Sequence, residues 1–351
     1  MNNRAYIIQN ENALYYECGF SCDNALFLRF GTDEAYFITD GRYVAEAKEN
    51  ITNAEVVDAK RDLIKKARDI IKKARLKRIV FDPLEFSVAR FNALSKNLNL
   101  FFASQKNFSQ KKRIIKTPKE IELLETAAMI GKDGFGRFEQ ILKTCGIGEN
   151  EEGLHYKAED SMKFGGQNEL SFKPICAINE NAAKPHALPN KNKTLKNGDL
   201  LLLDAGVKYR RYCSDRTRTT EAGDNATFTH KDTQKFKDPF RQKIYDIVLK
   251  AQKAAIDAIK IGVKASDVDK AARDVIEKAG FGKYFIHSTG HGVGLDIHEL
   301  PVISPYGSTV IEEGMVFTIE PGIYLPNEFG VRIEDTIAVV DGKAKVLYGD
   351  K

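Results

Sequence analysis

The sequence predicts an α+β chain of two domains, a small α/β domain at residues 1–112 and a larger domain at residues 117–351. Short strand patterns alternate with amphipathic helix patterns in the N-terminal third. A helix-start signal at Thr117 follows a polar, basic run at Ser104–Lys116. Apolar strands that end in carboxylates then share the chain with a segment rich in glycine and histidine. These observations place all of the candidate functional residues in the larger domain.

The composition is that of an ordinary globular chain and excludes several classes of protein. The net charge of +5 is the small difference between 54 basic and 49 acidic side chains, so it gives no reason to expect a nucleic-acid partner. The N-terminal residues lack a signal-peptide pattern, and no apolar run approaches the length of a membrane span. We therefore expect a cytoplasmic protein with no membrane partner.

The cysteines support the same location. They are odd in number and scattered, which fits neither a disulfide framework nor a paired zinc-ligand signature. We expect all five to be reduced, buried small residues: Cys18, Cys22, Cys145, Cys176 and Cys213.

The N-terminal domain is predicted from two kinds of apolar pattern. Strand patterns cover Ala25–Arg29, Ala35–Thr39 and Arg78–Asp82, and helical periodicity covers Ala59–Leu76 and Phe86–Leu98. The first of these helices carries many lysines and arginines on the face away from its apolar residues. A solvated helix face is favoured over an RNA- or membrane-binding patch, because no aromatic residues are interleaved among the basic ones.

The larger domain is predicted to open with a long helix. Thr117 can cap this helix, with Pro118 at the first helical position and Glu120 three residues after the cap, which is the capping-box pattern. Apolar periodicity then continues through Ile121–Leu142.

Two carboxylates are expected on one β-hairpin of this domain. Leu200–Asp204 is a continuous apolar run that suits a buried strand better than a helix. A two-residue loop at Tyr209–Arg210 would place Asp204 directly across from Asp215. Like charges in that position destabilise a sheet unless a cation lies between them.

A second pair of carboxylates has the same form. Met315–Glu320 is an apolar strand that ends in an acid, and Gly330–Val340 is predicted as a strand that carries Glu334. Taken singly, each of these acids could cap a strand or pair with a surface lysine. Four acids at or near apolar strands are better explained by a metal site.

The segment Ile286–Glu299 holds three of the six histidines, separated by glycines that disfavour a helix. His287 and His291 are an even number of residues apart, so an extended backbone would direct both rings to one side. Their grouping with Asp296 and Glu299 favours a shared site over isolated core or surface histidines.

His291 and the four carboxylates together form a set of oxygen and nitrogen ligands without a thiolate. Four negative charges match two divalent cations. Such a set fits manganese or cobalt, with zinc or iron as alternatives, better than a structural zinc site built on cysteine. Two such ions would lower the pKa of a shared water and polarise a substrate carbonyl, which is hydrolytic chemistry.

Motifs in this order resemble the pita-bread metallopeptidases, a family that includes prolidase, aminopeptidase P and methionine aminopeptidase. They read LLLLDAGVKYRRYCSDRTRT, HSTGHGVGLDIHE, FTIEPGIY and GVRIEDT. By this likeness Asp204 would bind one metal, His291 and Glu320 would bind the other, and Asp215 and Glu334 would bridge them. The resemblance implies a creatinase/aminopeptidase-like pita-bread fold for the catalytic domain.

The resemblance also implies roles on the substrate side. Glu320 would relay a proton, while His186, on a strand within ENAAKPHALP, and His298 would hydrogen-bond the scissile group and the tetrahedral intermediate. His287 would line the substrate pocket. Arg332 would support a metal ligand or bind a substrate carboxylate.

Two further features favour the proline-specific branch of the family. Arg332 is a residue that methionine aminopeptidases usually lack at this position. The GFSCDNALFLRF and TDGRY segments resemble the creatinase/prolidase-type N-terminal domain, which commonly contributes to a homodimer. The resemblance therefore implies a metal-dependent Xaa-Pro peptidase of the aminopeptidase P or prolidase type, which hydrolyses the bond between an N-terminal residue and proline.

Several alternatives stay open at this level. The substrate is a proline-containing dipeptide or a longer peptide. A methionine aminopeptidase-like enzyme and a non-catalytic pita-bread binding module are the rival functions. The polar segment Glu221–Phe240 is longer than the resemblance leads us to expect, and we interpret it as a flexible loop near the site or a dimer contact. His230 within it and the distant His155 are interpreted as surface residues.

Overall fold

The N-terminal unit is built on a six-stranded mixed sheet in the computed structural model, which describes residues 5–348. This unit ends at Arg113, and the second unit begins at Ile114. The strands of the sheet are β1 (Tyr6–Ile8), β2 (Ala25–Phe30), β3 (Glu34–Thr39), β4 (Glu55–Asp58), β5 (Arg78–Phe81) and β6 (Phe101–Ser104). Their spatial order is β4-β3-β2-β1-β5-β6.

Helices cover both faces of this sheet, which explains its continuous apolar strands. They are α1 (Glu11–Cys18), α2 (Val44–Asn50), α3 (Leu63–Lys73), α4 (Val88–Ser95) and α5 (Phe108–Arg113). Ile8 packs in one core cluster with residues of α1, and the adjacent Ile7 packs in another with residues of α3. Because successive side chains of a strand point to opposite faces, each face has its own core.

One expectation for this region needs correction. The basic helix is shorter than Ala59–Leu76, because the side chain of Asp62 accepts a hydrogen bond from the Lys65 backbone and caps its N-terminus. The polar run Ser104–Lys116 contains α5, whose Phe108 is buried in the core.

The second unit combines four helices with short strands among its described residues. The helices are α6 (Pro118–Ile141), α7 (Glu151–Lys163), α8 (Pro239–Ala258) and α9 (Ala265–Lys278). The first strands are β7 (Glu169–Leu170), β8 (Ile175–Ile178), β9 (Leu200–Ala205), β10 (Val207–Tyr209), β11 (Tyr212–Cys213) and β12 (Arg216–Glu221). The later strands are β13 (Gly290–Gly292), β14 (Glu299–Ile303), β15 (Val316–Ile319), β16 (Gly322–Leu325), β17 (Phe329–Arg332), β18 (Asp335–Val340) and β19 (Lys343–Val346).

These strands form four small sheets within the described residues. The spatial orders are β11-β10-β7, β12-β9-β8, β14-β13-β15-β18-β19 and β16-β17. Helix α6 opens with the expected capping box: the Thr117 hydroxyl accepts from the Glu120 backbone, and the Glu120 carboxylate accepts from the Thr117 backbone. Among residues 5–348, no helix combines the length and apolar character needed to cross a membrane.

The apolar run in β9 is buried on both faces. Leu201 and Leu203 pack with α6 and α7, whereas Leu200 and Leu202 pack with α8 and α9. A strand between two helical layers needs apolar residues at every position, and this is why LLLL has no alternation. The strand therefore carries Asp204 out of a well-packed core to its C-terminal end.

The structure corrects the predicted register of the first acidic hairpin. The turn between β10 and β11 is formed by Arg210 and Arg211, which both have positive φ, so it lies one residue later than predicted. Asp204 therefore pairs with Thr217 rather than with Asp215. Asp215 lies two residues before Thr217, and residues two apart on extended chain share a face, so the two acids stay on the same side.

The second acidic pair also differs from the prediction. Gly330–Val340 is not one strand, because β17 ends at Arg332 and pairs with β16, while β18 begins at Asp335 and pairs with β15. Glu334 lies in the two-residue break between these sheets.

The cysteines agree with expectation at four of five positions. Cys145 is exposed rather than buried, while the other four cysteines are buried, and all five are free.

Candidate metal centre and substrate pocket

A single cavity of about 620 Å³ in the second unit collects the candidate ligands. All five lie in its wall: Asp204, Asp215, His291, Glu320 and Glu334. They come from the ends or breaks of β9, β12, β15 and β17 and from the middle of β13. The strand ends thus bring four acids to one place and β13 brings the histidine, although these residues are far apart in the chain.

His291 is oriented with one nitrogen toward the acids. Its Nε2 lies 3.6 Å from Oδ2 of Asp215 and 3.4 Å from Oε1 of Glu320. Its Nδ1 lies 3.1 Å from the carbonyl oxygen of Gly292, so the neutral ring donates from Nδ1 and keeps the Nε2 lone pair free. One ligand atom each from Asp215, His291 and Glu334 lie within 4.8 Å of one another.

Close packing of backbone makes this arrangement possible. A Cβ at Gly290 would overlap the carbonyl oxygen of Thr318 on the neighbouring β15, so only glycine allows the two strands to approach this closely. The same approach lets the Thr318 hydroxyl accept the backbone N–H of His291 at 3.1 Å. Gly290 therefore allows His291 to lie against β15, the strand that directly precedes Glu320.

Each of two buried acids has one paired and one unpaired oxygen. Asp204 accepts from Arg332 Nη2 at 2.5 Å through Oδ2, and Glu334 accepts from the Thr217 hydroxyl at 2.7 Å through Oε2. Asp204 Oδ1 and Glu334 Oε1 are buried and have no hydrogen-bond partner. Unpaired buried carboxylate oxygens are costly, and in a cavity they indicate a ligand that is positively charged.

The electrostatics of the cavity point to the same kind of ligand. Burial, followed by repulsion from Glu334, raises the pKa of Asp215, and burial followed by repulsion from Glu320 raises that of Glu334. Burial raises the pKa of Glu320 to about 8 against the opposing effect of Arg332. These three acids are therefore poorly compensated by protein charges, and their carboxylate oxygens are the donors that divalent cations prefer.

The histidine expected to line the pocket has both ring nitrogens engaged. His287 Nε2 lies 2.8 Å from the Tyr324 hydroxyl, which also accepts from Arg332 Nη1 at 2.9 Å, and its Nδ1 lies 2.7 Å from the Ser288 carbonyl. Burial, and then the charge of Arg332, lower its pKa to about 3. His287 is thus a neutral wall residue without a free nitrogen for a substrate.

The other two substrate-side histidines remain open to the cavity. His186 and His298 both line it and are exposed. The ring of His298 meets that of His291 at a centroid distance of 4.3 Å. His186 does not lie on a strand as expected, but in irregular chain after a 3₁₀ turn at Asn179–Asn181.

The pocket contains residues that the sequence did not single out as functional. Tyr324, from the quoted FTIEPGIY motif, carried no predicted role; it is not among the lining residues but contacts two of them, His287 and Arg332. His155, interpreted from the sequence as a surface residue, lines the cavity together with Phe172 and Lys173. No local pattern marks His155, because its place in the wall depends on how α7 packs against β8.

The segment Glu221–Phe240 packs into the second unit. Phe228 is fully buried against Phe135 and Phe138 of α6, and Lys231 forms an ion pair with Asp335. This packing differs from the expected flexible loop. His230 is exposed and does not line the cavity, so its interpretation as a surface residue agrees with its position.

The fold and site define a peptidase of the pita-bread class. The chain belongs to metallopeptidase family M24, whose model matches residues 122–341, and residues 3–115 match the creatinase/prolidase N-terminal domain. Both the predicted family and the predicted fold class are thus confirmed. Family membership implies that the protein uses divalent metal ions.

Individual relatives carry names that concern proline. The chain is 44% identical over 236 residues to the Xaa-Pro dipeptidase of Pyrococcus furiosus, a match that spans 67% of this chain and 63% of that relative. A solved Xaa-Pro dipeptidase from Bacillus anthracis superposes with a TM-score of 0.89 at 32% identity and covers 98% of this chain and 92% of that one. A solved X-Pro aminopeptidase from Thermotoga maritima superposes with a TM-score of 0.85 at 29% identity, with 99% and 96% covered.

Proposed function

We propose that this protein is a dinuclear metal-dependent peptidase that hydrolyses the bond between an N-terminal residue and proline. The observation that carries the proposal is the pair of unpaired buried oxygens, Asp204 Oδ1 and Glu334 Oε1, in one cavity with the free Nε2 of His291. The names of the relatives supply the substrate class. The cavity volume of about 620 Å³ suits a small peptide.

The five candidate ligands would share two cations. Asp204 would hold one, His291 and Glu320 the other, and Asp215 and Glu334 would contact both. When bound, the two ions would lower the pKa of a water molecule and polarise the peptide carbonyl. We propose manganese as the ion, since four carboxylates and one imidazole form an oxygen-rich donor set.

The side chains of this protein would handle protons and position the substrate. Glu320 would accept the proton of the attacking water and pass it to the departing proline nitrogen, a role that suits a carboxylate at the cavity wall. His186 and His298 would donate hydrogen bonds to the carbonyl oxygen as it gains charge. Arg332 would hold Asp204 in place, because its guanidinium also contacts Tyr324, Thr217 and the carbonyl of Pro185.

A comparison of peptides tests this function directly. Manganese-loaded protein should hydrolyse Leu-Pro or Leu-Pro-Pro faster than Met-Ala and Met-Ala-Ser. Preference for the methionine peptides would support a methionine aminopeptidase-like enzyme instead. Absence of hydrolysis in protein that binds manganese would favour a non-catalytic binding module. The relative rates on the dipeptide and the tripeptide decide between prolidase-type and aminopeptidase P-type activity.

Two further expectations belong to the same proposal. We propose a homodimer, which light scattering of the metal-loaded protein would test by its molar mass. We also propose a cytoplasmic location, since the buried cysteines are free thiols. Cell fractionation with an antibody to the chain would test this location.

A further inference from the structure

The cavity contains a second polar feature besides the candidate metal ligands. His155 on α7 and Lys173, two residues before β8, both line it. Leu154 and Ala158 of α7 pack in one core cluster with Cys176 and Ile178 of β8, so these two elements form one continuous piece of wall. Nothing in the proposed hydrolytic step uses either His155 or Lys173.

His155 is held by one nitrogen and leaves the other unused. Its Nε2 lies 3.4 Å from Oε1 of Glu159, one helical turn further along α7. Glu159 is itself matched by Lys163, whose Nζ lies 3.1 Å from Oε2. The Nδ1 of His155 is buried and has no hydrogen-bond partner. A buried nitrogen without a partner is costly, and the cavity beside the ring is the place from which a ligand could supply that partner.

Lys173 supplies the positive charge of this wall. Of the basic side chains that line the cavity, Arg332 is occupied by Asp204 and by neutral oxygens. Lys173 is exposed, and no ion pair or hydrogen bond engages it among residues 5–348. Once divalent cations match the four acids, the positive charges of Arg332 and Lys173 remain on the cavity wall. The guanidinium of Arg332 is held by protein oxygens, so Lys173 is the group that would attract an anion.

We propose that His155 and Lys173 form a subsite for a carboxylate of the peptide substrate. The inference rests on the proposed peptidase function and specifies which peptides the site prefers. The ammonium of Lys173 would pair with the carboxylate, and His155 in its imidazolium form would donate from Nδ1 to the carboxylate and from Nε2 to Glu159. Phe172 and Leu188 in the same wall would contact the apolar part of the peptide.

The carboxylate belongs either to the side chain before proline or to the C-terminus of the peptide. Matched pairs of peptides distinguish these two positions. Glu-Pro and Gln-Pro differ only in the acid on the side chain before proline. Ala-Pro and Ala-Pro-amide differ only in the terminal carboxylate. The manganese-loaded wild type should favour the acid in one of these pairs, and that pair identifies the source.

Variants of the two residues test the subsite. Lys173→Met should reduce the preference for the acidic peptide about fivefold, and His155→Ala should reduce it about tenfold. Both changes should appear in KM rather than in kcat, because they remove ground-state binding. Lys173→Arg should retain the preference. Lys278→Met, which alters an exposed lysine of α9 outside the cavity, should leave it unchanged.

Calorimetric binding of the same four peptides provides a readout that does not require turnover. Weaker binding of the acidic peptide to Lys173→Met and His155→Ala supports the subsite even if no Xaa-Pro bond is cleaved, an outcome that would defeat only the proposed function. Unchanged preferences in both pairs, measured on variants with full metal content, would overturn the subsite and leave the peptidase proposal intact.

Discussion

Arg332 and Asp204 meet over 2.5 Å between Nη2 and Oδ2, with the side chain of Arg332 4% exposed and that of Asp204 11% exposed. The contact satisfies one oxygen of the acid and leaves the other, Oδ1, unpaired in the cavity. It also brings the last residue of β17 to the end of β9. A single guanidinium thus connects two of the strands that build the candidate metal centre.

We expect Arg332→Met to lower metal affinity and activity by about 10- to 100-fold, the range found for groups that orient metal ligands. Arg332→Lys should not restore them, because the guanidinium donates to Thr217, Tyr324 and Asp204 from three separate nitrogens, whereas an ammonium has its donors on one atom. Manganese titration and Leu-Pro hydrolysis measure the two effects. Arg210→Met, at an exposed turn, is the control, and equal loss in both variants would contradict this role.

Asp215→Asn should reduce activity by more than about 100-fold, since the substitution removes a charge from the proposed position between the two cations. Metal analysis of the purified variant should give a reduced manganese content. His230→Ala serves as the control, because His230 is exposed and outside the cavity, and its activity should stay within about twofold of wild type. The reverse pattern would mean that the active site lies elsewhere.

Glu151 is a buried acid at the start of α7 that organises the chain around His186. Its carboxylate accepts from the backbone of Ile178 at 2.7 Å, from Asn181 Nδ2 at 2.7 Å and from the backbone of Asn190 at 2.8 Å. Glu151→Gln would place an amide donor against these donors and should cost about 1–3 kcal/mol of stability. Urea unfolding followed by circular dichroism measures the loss.

The neighbouring Glu152 offers a matched control for this substitution. It is exposed on the same first turn of α7, so Glu152→Gln should change the free energy of unfolding by less than about 0.5 kcal/mol. The Glu151 variant should also lose activity, because its partners flank the segment that carries His186. Full activity in a destabilised Glu151→Gln protein would separate stability from positioning of His186.

Removal of metal should make stability fall as pH rises. In the metal-free cavity the pKa values of Asp215 and Glu334 are raised by burial and then by charge repulsion, and that of Glu320 is raised by burial to about 8. A carboxyl with a higher pKa in the folded chain stabilises it fully below the unfolded pKa, near about 4. This stabilisation is lost as pH rises through the folded pKa.

The metal-free protein should therefore lose stability between about pH 5 and 8 relative to the manganese-loaded protein. Urea titrations of both forms at several pH values measure the difference. Glu320→Gln removes the group with the pKa of about 8 and should flatten the upper part of the metal-free profile. Parallel profiles for the two forms would refute the electrostatic account of the cavity.

Much of the fold follows from local rules that the sequence states directly. The capping box at Thr117 predicts the start of α6, and the run LLLL predicts a strand covered on both faces. Acidic residues at the ends of apolar runs predict that carboxylates lie at the ends of buried strands. These patterns involve residues that are close together in the chain, so they can be recognised without the tertiary structure.

The register of the first acidic hairpin and the continuity of the second could not be predicted from the sequence. The turn at Arg210 and Arg211 needs two residues with positive φ, which neither residue type signals, so the predicted loop was one residue too early. The break between Arg332 and Asp335 arises because the two halves pair with different strands. Pairing partners are chosen by the whole sheet, and a period of two residues within one segment cannot report them.

By itself, the sequence determined the family, the fold class and the residue types available for metal binding, because motif order and apolar periodicity are properties of the linear chain. Only the tertiary structure decided which oxygens are left unpaired, how Arg332 joins Asp204, and that His155 lines the cavity with Lys173. Those facts depend on distances between elements far apart in sequence. Packing of helices against strands sets such distances, and no local pattern encodes them.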